Sequence, residues 1–181
     1  MATGFSINDF RSNALKGNGA RANLFDVSMT NVPGLAATTD ITYTCKAAQI
    51  PGSAVTAIDV PYFGRIVKVP GNKTFENWTV TILNDESFSV RNVMEKWIAS
   101  MGSHKENKVA AGGLQYGQAK VMQYAKVGGS AIHTYTFVNI FPVSVAAIDL
   151  AWDSNDAIED FAVEFAYDYW TSVAGSTAVV A

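Results

Sequence analysis

The side chains able to do chemistry are few and scattered. Cys45 is the one cysteine, and the two histidines, His104 and His133, lie far from it in sequence. A Cys–His nucleophile needs its thiol and imidazole within hydrogen-bond reach, a pairing that a fold can create over any sequence distance. Cys45, however, takes an alternating strand position, which reads as a packed thiol. One cysteine and two histidines are too few, and wrongly spaced, for a structural zinc site. Gly17-Asn18-Gly19-Ala20-Arg21-Ala22 spells G-x-G-x-x-A. It neither follows a strand nor opens a helix, so the amide cradle for a pyrophosphate is missing. Asp153, Asn155 and Glu164 stand at positions 1, 3 and 12 of a calcium-loop pattern. Ala157 and Ile158 then fall where an oxygen ligand and a glycine are required, and an acidic turn capping a strand is the better reading. Asn72-Lys73-Thr74 and Asn77-Trp78-Thr79 are sequons by letter, without meaning unless the chain is secreted. No Walker loop, nucleophile elbow or paired-carboxylate arrangement occurs. No catalytic residue, cofactor or metal is expected.

Composition points the same way. At 181 residues the chain is one domain, long enough to bury a core. Charged residues make up 16%, against roughly 25% in ordinary soluble proteins. Burial of much of the surface against copies of the same chain is one physical reason for so little charge. A net charge of −3 argues against a sequence-reading nucleic-acid binder, which needs a basic face for phosphates. The single cysteine excludes an internal disulfide framework and fits a reducing compartment. The opening MATGFSINDFRSN lacks a basic segment followed by an apolar run. No stretch approaches the roughly 18 apolar residues of a membrane helix. The expectation is a soluble protein made inside the cell, with no membrane anchor.

The elements are mostly strands. Residues 1–21 read as a flexible arm, with at most a short helical turn around Asp9 to Leu15. Phe25, Val27 and Met29 then alternate with Asp26, Ser28 and Thr30 as a half-buried strand. After a small-residue loop to Asp40, a second strand is expected with Ile41, Tyr43, Cys45 and Ala47 inward and Thr42, Thr44 and Lys46 outward. Val55 to Val69 reads as a hairpin with Phe63-Gly64-Arg65 at its tip, and Pro70-Gly71-Asn72 as a further turn. Thr74 to Leu83 follows, with Trp78, Val80 and Ile82 on one face and Thr79 and Thr81 on the other.

A helix is expected over about 86–101. Val90, Val93, Met94, Trp97, Ile98 and Met101 form one apolar stripe, each contributing on the order of 1.5–3 kcal/mol when buried. Asn84 or Asp85 would cap its start and Gly102 would take the C′ position. A polar, glycine-rich loop (102–117) leads to strands at Gln118–Val127 and Ile132–Phe141, joined by Gly128-Gly129. Pro142 to Asp149 crosses over. The last strand places Phe161, Val163, Phe165, Tyr167 and Tyr169 on one face, and 171–181 is a tail. About seven strands and one helix result: a mainly β, antiparallel sandwich or barrel with one flanking helix.

Several blocks in order resemble the tail tube proteins of contractile-tailed, myovirus-type bacteriophages. They are Ala20 to Val27, Cys45-Lys46-Ala47 with Ile50-Pro51-Gly52, and Val69 to Phe75 running into Asn77 to Thr81 and Asn84-Asp85. Asp149 to Asn155 and Tyr167 to Trp170 complete the series. The resemblance covers roughly residues 20–170. The small residues between Gly34 and Asp40 and the tail beyond Trp170 depart from it.

The resemblance implies a hexameric ring, with strands joining into a continuous barrel around a lumen and the helix outside, stacked into a tube that conducts the genome. Its partners would be copies of itself, the tail sheath, baseplate and tail-terminating proteins, a tape measure protein in the lumen, and DNA passing without sequence-specific binding. The tube would be assembled in the host cytoplasm and belong to the virion. Ring closure would also remove exposed sheet edges. Tyr62, Phe63, Gly64, Arg65 and Lys68 are the candidate subunit contact, the two charges pairing with acidic groups of a neighbour. Thr42, Thr44, Thr79 and Thr81 are candidates for the lumen wall. Two alternatives stay open: the tube of a DNA-free contractile injection particle, and a small β-domain enzyme or ligand binder with a pocket near His133 or the acidic turn.

Overall fold

The computed structural model describes residues 6–15, 19–33, 39–102, 115–126, 129–153, 156–174 and 177–179. His104, Asn155, Gly128, Gly17, Asn18 and residues 34–38, which figured in the expectations above, lie outside them.

Two antiparallel sheets share one strand. The first runs β1 (Phe25–Thr30), β6 (Gly117–Tyr124), β7 (Ala131–Val145), β9 (Tyr169–Ala174) and β10 (Thr177–Val179). The second runs β7, β8 (Asp160–Ala166), β5 (Trp78–Leu83) and β2 (Cys45–Ala48). The changeover within β7 occurs at Asn139, whose φ of 55° turns the strand. Asparagine tolerates this left-handed conformation better than most residues. Its side-chain amide donates to the Asp168 carboxylate at 2.6 Å, and the Asp168 amide donates to the Val138 carbonyl at 3.2 Å. Before this corner His133–Val138 pair with β9; after it Phe141–Val145 pair with β8.

The corner corrects two expectations. β7 does not stop at Phe141: Pro142 is buried inside it, beside a register shift between Pro142 and Ser144, the kind of bulge that accommodates a residue without a ladder donor. Nor does one strand carry Phe161 through Tyr169. β8 ends at Ala166, Tyr169 is exposed, and Trp170 packs against the core instead. Residues 171–174, expected in the tail, complete β9.

The sheets face each other across an aromatic core. Trp78 of β5 stacks on Phe137 of β7, centroids 4.4 Å apart, and Phe165 of β8 lies 5.7 Å from Trp78. Trp78 Nε1 donates to the Gln49 carbonyl at 2.7 Å, so its polar edge is satisfied where its face is buried. The alternating sets Val27 and Met29, Trp78, Val80 and Ile82, and Phe161, Val163 and Phe165 are all buried.

The long helix, α3 (Ser89–Met101), lies against this core and starts three residues later than expected. Val90, Met94 and Trp97 are fully buried, Val93 and Met101 pack partly against the core, and Ile98 is half-buried. Asp85, not Asn84, satisfies the first turn: its carboxylate accepts the Ser89 amide and hydroxyl, each at 3.0 Å, and the Ser87 hydroxyl. Asn84 donates to Glu159 at 3.0 Å instead. Gly102 is the C-cap itself, extended at φ −164°, rather than the C′ residue expected.

Among the described residues there are ten strands and three helical segments, not seven and one. A short helix α1 (Ile7–Asp9) continues as a π turn over Phe10–Ala14. The other addition corrects the second strand: Thr39–Thr44 is a helix, α2, and only Cys45–Ala48 pairs with β5. Ile41 is fully buried while Tyr43 is 82% exposed. Tertiary anchoring of Ile41 thus overrides the strand preference of the run Thr42-Tyr43-Thr44.

Candidate assembly surface

Between β2 and β5 the chain leaves the sandwich. β3 (Ala54–Tyr62) and β4 (Arg65–Thr74) form a separate two-stranded sheet. Phe63 and Gly64, at φ 41° and 81°, make the two-residue turn expected at the tip, and paired positive φ values are what a type I′ hairpin demands. The expected turn at Pro70-Gly71-Asn72 does not exist. β4 runs straight through it, and the ladder slips between Val55 and Ala57 instead. A Cβ on Gly71 would lie 2.8 Å from the Thr56 carbonyl oxygen and 2.9 Å from Ile58 Cγ1. The glycine is there for close approach of the two arms. The hairpin is therefore longer than expected, and β5 begins at Trp78 rather than Thr74.

Every residue of β3, and every residue of β4 except Gly71, is exposed. Ile58, Val60, Tyr62, Ile66, Val67 and Val69 leave apolar surface open, and Phe63 at the tip is 92% accessible. Two strands alone are marginal in water, and an apolar surface this continuous marks an interaction site. The Tyr62 and Phe63 rings meet edge to face at 4.7 Å. Lys68 donates to Asp59 of its own hairpin at 2.8 Å. Arg65 has no ion pair among the described residues.

The other candidates part company. Thr79 and Thr81 lie on β5 opposite its buried face, but Thr42 and Thr44 sit on α2, so the four do not share one strand-lined face. The His133 and Tyr135 rings meet at a tilt, centroids 4.6 Å apart, in the first sheet, whereas Cys45 is in the second. Burial, reinforced by the Asp26 charge, pushes the Cys45 thiol up to about 11, the reverse of nucleophile activation. Glu164 accepts from Asn77 at 2.8 Å and Ser144 at 3.3 Å, which commits it to the sheet rather than to a cation. Among the described residues, no group of three or more His, Cys, Asp or Glu is placed to hold a metal ion. None of the described helices is long and apolar enough to cross a membrane.

A further surface lies beside the acidic turn, one of the two places where the sequence left a pocket open. After β7, Leu150, Trp152 and Ile158 are exposed, Trp152 completely. They line an open groove of about 760 Å³ with Asp149, Thr81 and Phe161. Two large apolar residues, Leu150 and Trp152, set between Asp149 and Asp153 in a turn were the available signal.

Comparison with known proteins identifies a family from the sequence and a shared fold from solved structures. The profile of the phage tail tube protein family matches residues 15–173. The chain is 32% identical over 156 residues to tail tube protein gp19 of Enterobacteria phage T4, covering 85% of this chain and 92% of that protein. It shares its fold with a chain of the sheath–tube complex of the extracellular contractile injection system PVC, in the extended state. There the TM-score is 0.61 at 18% identity, over 94% of this chain and 99% of that one. A chain of the PVC sheath/tube terminator gives a TM-score of 0.65 at 18% identity, over 86% and 97%.

Proposed function

The chain belongs to the phage tail tube protein family, and from that premise we propose how one subunit makes a tube. It is a structural subunit of a viral tail tube that assembles with copies of itself. In the proposed arrangement six copies close a ring, and rings stack into a conduit within the sheath. Baseplate proteins bound one end, terminating proteins the other, and the lumen holds the tape measure protein and later the DNA. An overall charge of −3 suits a conduit that must not retain phosphates. Of the lumen candidates, Thr79 and Thr81 remain together on β5, but Thr81 also lines the groove beside Trp152, which leaves Thr79 as the candidate for the lumen wall.

The observation that carries this reading is the β3–β4 hairpin, a two-stranded apolar sheet that nothing among the described residues covers. In the tube it lies on a neighbouring copy, with Tyr62 and Phe63 as anchors and Arg65 as the charge, the residue types that dominate interface energetics. Light scattering on a size-exclusion column tests this. The mass rises with concentration to that of rings and stacks; a chain that stays monomeric at high concentration contradicts it.

A further inference from the structure

Two opposite poles of the subunit complement each other. The hairpin joins the sandwich at the Trp78 end of β5, since β4 ends at Thr74. The groove lies at the other end, where Leu83 pairs with Asp160 and Ile82 with Phe161. Between these ends runs β5, six residues and about 17 Å long at some 3.3 Å per step, with the groove reaching back along it as far as Thr81. Phe63 and Trp152 are both bare in the subunit, so the hairpin of a chain does not fill the groove of that chain.

Their chemistry matches. From Ala147 to Ala162 there is no Lys or Arg but there are Asp149, Asp153, Asp156, Glu159 and Asp160. Glu159 accepts from Asn84 and Asp160 from Lys46. Asp149 lines the groove, and Asp153 and Asp156 adjoin its lining residues Trp152 and Ala157. The hairpin tip offers Arg65, unpaired among the described residues, beside Phe63 and Tyr62. An acidic rim around Leu150, Trp152 and Ile158 thus faces, on another copy, an arginine flanked by two aromatic rings. Complementary charge fixes orientation and apolar anchors supply affinity.

We infer that the groove beside Trp152 receives the β3–β4 hairpin tip of a second copy of this chain. The contact joins different surfaces, so it is heterologous and repeats from copy to copy, as growth of a ring or stack requires. The inference rests on the tube reading and adds the receptor to it.

Hydroxyl-radical footprinting of wild-type monomers and tubes tests it first. Oxidation of both Trp152 and Phe63 falls roughly fivefold on assembly, because a docked tip excludes water from its pocket. Tubes of the Arg65→Lys variant, made from isotopically light and heavy chains and treated with a carbodiimide, then yield mixed-label peptides joining residue 65 to Asp149, Asp153 or Asp156. Tubes whose Trp152 oxidises as in the monomer, or whose residue 65 links only to other segments, overturn the receptor assignment and leave the tube intact. Wild-type protein that forms no tubes overturns the reading beneath it as well.

Discussion

Across the β3–β4 ladder Asp59 and Lys68 are direct register partners, joined at 2.8 Å. The pair spends the lysine charge within the hairpin and leaves Arg65 as the cation at its tip. The two basic residues therefore have different duties.

Lys68→Ala accordingly retains assembly and lowers subunit stability by less than about 1 kcal/mol, the range of exposed pairs. Arg65→Glu, also exposed, leaves stability unchanged but weakens assembly. Sedimentation of the two variants decides; equal losses of polymer would contradict the division.

Trp97 sits fully buried on α3, with Nε1 donating to the Gln115 carbonyl at 2.9 Å. Gly117 lies under its ring: a Cβ there would be 2.8 Å from Trp97 Cη2. Trp97→Ala costs about 3–5 kcal/mol, and Gly117→Ala, by overpacking, about 1–3 kcal/mol. Urea unfolding measures both. A neutral Gly117→Ala would contradict the close contact.

Asp85 is the start of α3 in chemical terms. Its hydrogen bond from the Ser87 hydroxyl, followed by those from Ser89, holds the carboxyl below its ordinary value. Because the folded value is the lower one, the stabilisation is present above the ordinary aspartate pKa of about 3.9 and is lost as pH falls through the folded value. Asp85→Ala removes about 1 kcal/mol at neutral pH, and its deficit relative to wild type shrinks in acid. Urea midpoints at neutral and acid pH provide the check; a deficit constant with pH would contradict the ionised cap.

Cys45 reacts slowly. With its thiol raised from 9.0 to about 11, the native thiolate population is down on the order of a hundredfold, and alkylation by iodoacetamide near pH 8 slows accordingly against the urea-unfolded chain. Folding holds the proton on the sulfur. Its contribution to stability is therefore complete below the unfolded thiol pKa and is lost as pH rises towards the folded one. Equal alkylation rates in native and unfolded protein would contradict the buried setting.

Period-two patterning located the buried faces of β1, β5 and β8, and helical spacing located α3, because those segments pack one face on the core. What failed was punctuation. Pro70-Gly71 carries the letters of a turn, yet the bulge opposite Thr56 absorbs it. Pro142 does the same in β7. The chain breaks at Tyr167-Asp168 between β8 and β9, which shifts the phase so that Trp170, not Tyr169, packs inward. The hairpin tip was legible from Phe63-Gly64. Its isolation was not, since strand pattern says nothing about which strands lack neighbours, and the groove at Trp152 depends on β5, β7 and β8 meeting there.

The central claim, that the hairpin joins copies into a hollow tube, meets its most direct test in negative-stain electron microscopy of concentrated wild-type protein beside the Phe63→Ser/Arg65→Glu variant. Wild-type protein forms hollow tubes of stacked rings, and the variant, folded by circular dichroism, forms none. Normal tubes from the variant would contradict the account.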